Sequence, residues 1–313
     1  MPVVTLMAIA FAGFVAQLVD GSLGMGYGVT STSLLLTLGL APALASASVH
    51  LAEIGTTAVS GLSHWRMGNV DMRSLLMIGI PGGVGGFLGA VVLANLSLDA
   101  ARPMVSLVLL ALGAVIIFRY IHGRRTAAAR AAGEAPAGGV GNATPQRHGW
   151  TLIPLGFVGG FLDASGGGGW GPVTTSSLMA AARMRPRTVI GTVSGSEFIV
   201  SVAASVGFLL TLGSAGIDFS IVAMLLLGGV IAAPLSAWLV RRFDDQALAT
   251  GVGGLIIFLN VDRGLGLFGV DVSIGLGLRL AVAAVSVVVV AVLLVRSRVR
   301  RTAAAAAAGT PAA

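Results

Sequence analysis

Four acidic residues recur in matching positions of two halves of the chain, and their type and spacing could carry protons. Asp20 and Asp163 each precede a glycine-rich run, whereas Glu53 and Glu197 each follow a proline by eleven residues, Pro42 and Pro186. An acid held inside an apolar segment costs about 2.5–3.5 kcal/mol to place in a bilayer, so it normally faces a cavity and has a task. In low dielectric a carboxyl favours its neutral form and can hold a proton at neutral pH. Glu53 and Glu197 are therefore expected as proton carriers, with Asp20 and Asp163 as coupling partners. His50 precedes Glu53 by three residues, which places both on one helix face, where the imidazole could relay protons. The competing role for the two aspartates is to hold the glycine turn by accepting backbone N–H groups.

The glycine runs carry a different chemistry. The first reads GFVAQLVDGSLGMGYGVTSTS from Gly13, and the second reads GFVGGFLDASGGGGWGPVTTS from Gly156. Aligned without gaps over 21 positions, ten pairs are identical: Gly13/Gly156, Phe14/Phe157, Val15/Val158, Asp20/Asp163, Ser22/Ser165, Gly24/Gly167, Gly26/Gly169, Gly28/Gly171, Thr32/Thr175 and Ser33/Ser176. A one-residue shift extends the match to Pro42/Pro186 and Glu53/Glu197. After each run a short helix is expected to begin, near Val29 and at Pro172. Its N-terminus offers free amides and the positive end of a helix dipole, a natural site for an anion. Hydroxyls of Ser22, Thr30, Ser31 and Thr32, with Ser165, Thr174, Thr175 and Ser176, can add donors. The expected substrate-binding set is Ser22, Gly24, Gly26, Gly28, Thr32, Ser165, Gly167, Gly169, Gly171 and Thr175. Taken singly, such glycines and hydroxyls equally serve close helix packing and capping.

The elements that position these groups are set by composition. Of 313 residues, 56% are hydrophobic and only 10% are charged, against roughly 25% charged in soluble domains. Mean hydropathy is +0.95. An all-α, polytopic membrane protein follows. Apolar segments run over 3–19, 29–39, 43–63, 74–96 and 103–121, then 150–162, 172–182, 188–212, 218–240, 246–261 and 272–295. The expected division is a first membrane repeat at 1–121, a disordered polar linker at 122–149, a second repeat with a terminal helix at 150–295, and a basic low-complexity tail at 296–313. The apolar start, Val3 to Val19, lacks a basic leader and reads as a first membrane helix rather than a cleavable signal.

The net charge of +7 comes from arginines alone, since the chain has no Lys. They cluster at Arg119–Arg147, at Arg183, Arg185 and Arg187, at Arg241 and Arg242, and at Arg296–Arg301. Such clusters mark cytoplasmic loops rather than nucleic-acid binding. Placing all four inside makes the two repeats inverted copies. Each is a glycine-broken hairpin followed by three spans, with one extra helix at the end. The segments at 29–39, 150–162 and 172–182 are too short to cross an approximately 30 Å core, so the hairpins are expected to reach the midplane from opposite faces. The N-terminal helix is long enough to cross fully. Arg279 is the basic residue nearest a mid-span position, so an anion would be held mostly by dipoles and hydroxyls.

With this duplicated GFVxxxxDxSxGxGxG-type segment and the Pro and Glu positions that follow it, the chain resembles the TauE/SafE, or sulfite exporter, family of membrane permeases. The resemblance covers most of both halves, leaving out linker and tail. It implies a multi-pass inner-membrane, or plasma-membrane, secondary transporter of small anions such as sulfite, sulfoacetate or related sulfonates, driven by protons. The second copy departs from the first at Gln17/Gly160 and Met25/Gly168, so unequal contributions from the halves are expected. No cofactor and no metal are expected: the chain has no Cys and only four His, a poor set for transition metals. The partners expected are the anion and the lipid bilayer, with glycine-lined faces that would serve a homodimer or packing within one subunit. Alternatives are an anion channel, a cation permease using the four acids, and, remotely, an intramembrane protease. An Asp20–Asp163 protease pair would need fixed geometry that flexible glycine runs do not supply, and a His50–Ser194 pair has no third orienting residue.

Overall fold

The computed structural model describes residues 2–23, 25–131, 149–175, 177–178, 186–239, 245–266 and 272–307. Its helices are α1 (Val3–Leu23), α2 (Tyr27–Thr37), α3 (Pro42–Arg66), α4 (Met72–Asn95), α5 (Leu98–Ala131), α6 (Gly149–Gly166), α7 (Pro186–Leu212), α8 (Phe219–Leu239), α9 (Asp245–Gly266) and α10 (Val272–Ala307). A π-helical turn at Gly171–Thr175 stands where the repeat places the counterpart of α2. Among the described residues there is no strand, and five helices hold stretches long and apolar enough to cross a membrane: Val3–Asp20, Met72–Asn95, Leu98–Arg119, Thr188–Leu212 and Gly277–Val295. Helix α3 is long enough, at 25 residues, but its Ser, Thr, His and Glu residues turn inward: Ser46, Ser48, His50, Glu53 and Thr57 are all buried.

Several boundaries differ from the sequence expectation. Helix α1 runs to Leu23, which carries Asp20 into its last turns. Helix α6 has 18 residues, about 27 Å at 1.5 Å per residue, not the half-length arm expected at 150–162. It continues past Leu162 because Asp163, Ala164 and Ser165 keep helical geometry, Ser165 donating its hydroxyl back to the Phe161 carbonyl. Helix α5 continues to Ala131 and α10 to Ala307, into stretches read as linker and tail; residues 132–148 and 308–313 lie outside the described residues. The expected short arm is retained by α2, whose 11 residues span about 16 Å.

The chain turns at the breaks where only glycine is comfortable. Gly26 has φ 115°, and Gly167 and Gly168 have φ 75° and 135°, a region that side-chain-bearing residues rarely enter.

Packing is reciprocal between the halves. Helix α1 lies on α8 while α6 lies on α4; α3 crosses α7, and α5 lies along α9. Glycines bring these backbones together: Gly13 abuts the Leu225 backbone, Gly228 the Ala10 carbonyl, Gly156 the Ile78 carbonyl and Gly85 the Phe157 carbonyl. Without a hydrophobic force between helices in lipid, such close approach is what holds them. The glycine faces of α1, α4 and α6 are thus used within the subunit. Helix α10 packs on α9 and leaves its span Gly277–Val295 uncovered, with Leu280, Val285, Val287 and Val288 outward. Arg279 on this helix pairs with Asp262 of α9 at 2.8 Å and lies over the Phe258 ring. It is neutralised at the α9–α10 seam and takes no part in the central site.

Candidate functional site

The two glycine breaks meet. A Cβ added to Gly28 would lie 2.8 Å from the Gly168 Cα, and one on Gly171 would lie 2.7 Å from the Met25 Cβ. Gly167 abuts the Thr32 side chain. Segments some 140 residues apart in sequence therefore meet at one buried contact in which backbone faces backbone. The same added atom on Gly28 would come within 3.1 Å of Glu53 Oε1, so the α3 carboxyl borders the point of contact.

Around Glu53 lies a polar cluster drawn from both halves. His50 Nδ1 is 3.0 Å from Glu53 Oε2 and 3.9 Å from Asp163 Oδ2, with all three side chains essentially buried. The expected His50–Glu53 pairing along one helix face is present. The link onward to Asp163 is not one that spacing could disclose. Ser201 of α7 donates to Glu53 Oε2 at 3.4 Å, and the His50 ring stacks on Phe208 of the same helix. Nδ1 of His50, with one carboxylate oxygen each from Glu53 and Asp163, lies within a 4.8 Å group of ligand-type atoms, compact enough for a shared proton or a small cation. Glu197, one turn before Ser201 on α7, does not join the His50 cluster. The two glutamates, alike in sequence, are therefore unlike in surroundings.

Asp163 also holds its own break. Its Oδ1 accepts the amides of Gly169 and Trp170 at 2.6 and 2.9 Å. This overturns part of the sequence expectation: the first amides after the second glycine run are not free for an anion, because an internal carboxylate already caps them. Replacement of Asp163 by Ala should leave two buried amides unpaired and cost about 1–3 kcal/mol. Asn keeps an acceptor and should cost less. Thermal unfolding of the two purified variants compares these outcomes.

The hydroxyls also sort differently from the expectation. Ser165 donates to Phe161 O, Ser31 to Tyr27 O, Ser33 to Val29 O and Thr174 to Trp170 O. Each of these protons is committed to the helix backbone, as Ser and Thr commonly do inside helices. Thr30, Thr32 and Thr175 are buried with unpartnered hydroxyls. These three, rather than Ser165, are the candidate donors left for a ligand among the described side chains. Gly26 caps α2, and Gly28, Gly167 and Gly171 form the break-to-break contact. Gly24 and Ser176 lie outside the described residues, as does the side chain of Ser22. Trp170, fully buried against Gly82 of α4, was not foreseen; a lone aromatic between glycines gives no signal of its own.

Comparison with known proteins agrees with this architecture. The family model described as Sulfite exporter TauE/SafE matches residues 9–262. A "Probable membrane transporter protein YtnM" of Bacillus subtilis (strain 168) is 48% identical over 255 residues, 82% of this chain and 81% of its own. No solved structure matches the chain. With two glycine breaks in contact, apolar spans around them and a family match over most of its length, this multi-pass membrane protein belongs to the sulfite exporter TauE/SafE family.

Proposed function

We propose that the protein is a proton-coupled secondary transporter of small anions, sulfite, sulfoacetate and related sulfonates being the class tested first. The observation that carries this reading is the contact of the two glycine breaks beside Glu53. Irregular backbone inside a membrane is tolerated where it lines a protected cavity, and discontinuous helices meeting at mid-membrane form the substrate sites of repeat-built carriers. Thr30, Thr32 and Thr175 supply unpartnered donors there.

Proton coupling follows from charge. An anion approaching Glu53, Asp163, Asp20 and Glu197 meets carboxyls with a single histidine among them. It can bind only as those groups take up protons, so anion affinity and proton uptake are linked. The family description and the relative's printed name favour transport, with sulfite as the first candidate.

The reciprocal packing of α1 on α8 and α6 on α4 favours the inverted-repeat reading. In that arrangement the α1–α2 hairpin enters from outside and the second hairpin from the cytoplasm. The His50–Glu53–Asp163 cluster favours one second reading, a cation permease. Flux of sulfite, sulfoacetate, sulfate and carboxylates into proteoliposomes, with an imposed pH gradient, separates these. We expect saturable anion flux that follows the gradient. Cation flux with no anion dependence would sink the proposal, as non-saturating conductance would turn it toward a channel.

A further inference from the structure

A second polar feature lies away from the breaks and was invisible to the sequence motif. A cavity of about 320 Å³ is lined by Leu36, Gly39, Leu40, Arg102, Ser106 and Arg263, close to the lower end of the volumes that hold small ligands. Its walls are the C-terminal end of α2, the first turns of α5 and the last turn of α9. Among the described residues that line it, Arg102 and Arg263 are cationic and none is acidic. Arg102 and Ser106 stand one helical turn apart on the same face of α5. Arg263 is fixed in the wall: its guanidinium donates to Leu259 O at 3.1 Å and to Leu36 O at 3.4 Å. A guanidinium has five N–H donors, and these bonds use one on each of two nitrogens. Ser106 is fully buried, and its hydroxyl has no partner. Asp262, beside Arg263 in sequence, is engaged by Arg279, and Asp99, three residues before Arg102, is exposed and outside the lining.

The cavity is set above the breaks. One turn down α2 from Leu36, Ser33 accepts a hydrogen bond from Asn260 of α9 at 2.9 Å, and its neighbour Thr32 touches Gly167. Further along α5 from Ser106, Val108 packs on Gly166 and Leu112 lies 3.5 Å from where a Gly169 Cβ would stand. The same three helices thus run from the arginines to the glycine contact. With the four arginine clusters inside, these helix ends fall at the non-cytoplasmic face. Arginine there runs against the bias that places this chain's four arginine clusters in the cytoplasm. Arg102 is exposed and free to reach a ligand, and charge kept in that place beside an unpartnered buried hydroxyl suits one of opposite sign.

We propose that Arg102, Arg263 and Ser106 form an outward-facing capture site for a small oxyanion, sulfonate or carboxylate, which delivers it to the breaks. The proposal rests on the anion-transport reading above. Planar guanidinium forks suit such groups, and a positive vestibule raises the local anion concentration by on the order of tenfold or more.

The chain has no cysteine, so a Leu40→Cys variant carries a single thiol in the cavity wall. Full-length L40C in right-side-out membrane vesicles is treated with membrane-impermeant methanethiosulfonates bearing either a sulfonate or a trimethylammonium group. We expect the sulfonate reagent to react about tenfold faster, relative to each reagent's rate with a free thiol. Adding Arg102→Gln should bring the ratio toward one, as should 1 M salt, and millimolar sulfoacetate should slow labelling. Equal rates for the two reagents, labelling only from the cytoplasmic side, or no labelling of monodisperse protein would overturn the capture site. Proteoliposome flux of the unlabelled wild type reads the transport proposal separately. Anion flux with equal reagent rates removes the vestibule alone, and charge-selective labelling without anion flux removes the transport reading instead.

Discussion

Replacing Gly168 by alanine is expected to abolish transport, whereas the same change at Gly169, one residue on, should reduce it no more than a few-fold. The two positions look equivalent in the run of four glycines, but their surroundings differ. Gly168 has φ 135°, and a Cβ there would overlap the Val29 amide and the Gly28 carbonyl carbon. Those atoms are backbone at the start of α2 and cannot swing away as a side-chain tip can. Overpacking of this kind costs about 1–3 kcal/mol, and the strained dihedral adds about 1–3 kcal/mol. Relief would come from separating the two breaks, which moves α2 away from Glu53 and parts the contact between them. At Gly169 the nearest atoms to an added Cβ are the Asp163 amide nitrogen and a Leu112 methyl, both at 3.5 Å, ordinary contact distance. Its N–H still donates to Asp163. Initial rates per folded molecule, with monodispersity checked for each variant, decide the matter. Equal rates for the two variants would mean that the breaks are not in working contact.

The repeat made most of this site legible and also concealed part of it. Asp20 and Asp163, the glycines between Gly24 and Gly28, and the spacing from Pro42 to Glu53 and from Pro186 to Glu197 could all be read by aligning the chain with itself. His50 was legible because positions three apart share a helix face. Self-alignment, however, predicts equivalence. It gives no means of seeing that Glu53 meets His50 and Ser201 while Glu197 does not, or that Asp163 reaches across to the first repeat's histidine. That contact depends on how the halves cross. The length of α6 was misread for a local reason: Asp-Ala-Ser-Gly resembles a helix end, yet its serine bonds back to Phe161 and the helix proceeds. The hydroxyls were misjudged because an unsatisfied donor and a back-bonded one have the same letter. Arg102 and Arg263 lie 161 positions apart in unrelated stretches, so only the fold unites them.

Glu53→Gln should uncouple the carrier, lowering proton-driven anion accumulation at least about tenfold while leaving anion exchange at equal pH largely intact. Glutamine is close in size and can still accept from Ser201, so the folded cluster is preserved. What it lacks is a carboxyl that can take up and release a proton beside both His50 and the break contact. The sign of the pH dependence follows from charge. An anion binds beside this acidic cluster more readily as the cluster takes up protons, so wild-type affinity for a permanently ionised sulfonate should rise as pH falls. In Glu53→Gln the group is neutral at every pH, so affinity should be higher at alkaline pH and its dependence flatter. A purely structural glutamate would give the opposite pattern, with exchange and driven uptake falling together and the pH profile unshifted. Glu197→Gln provides the contrast. Lying outside the His50 cluster, it should change the pH profile less than Glu53→Gln, and equal effects of the two would mean that the repeats share the proton evenly, making the asymmetry around His50 irrelevant to coupling.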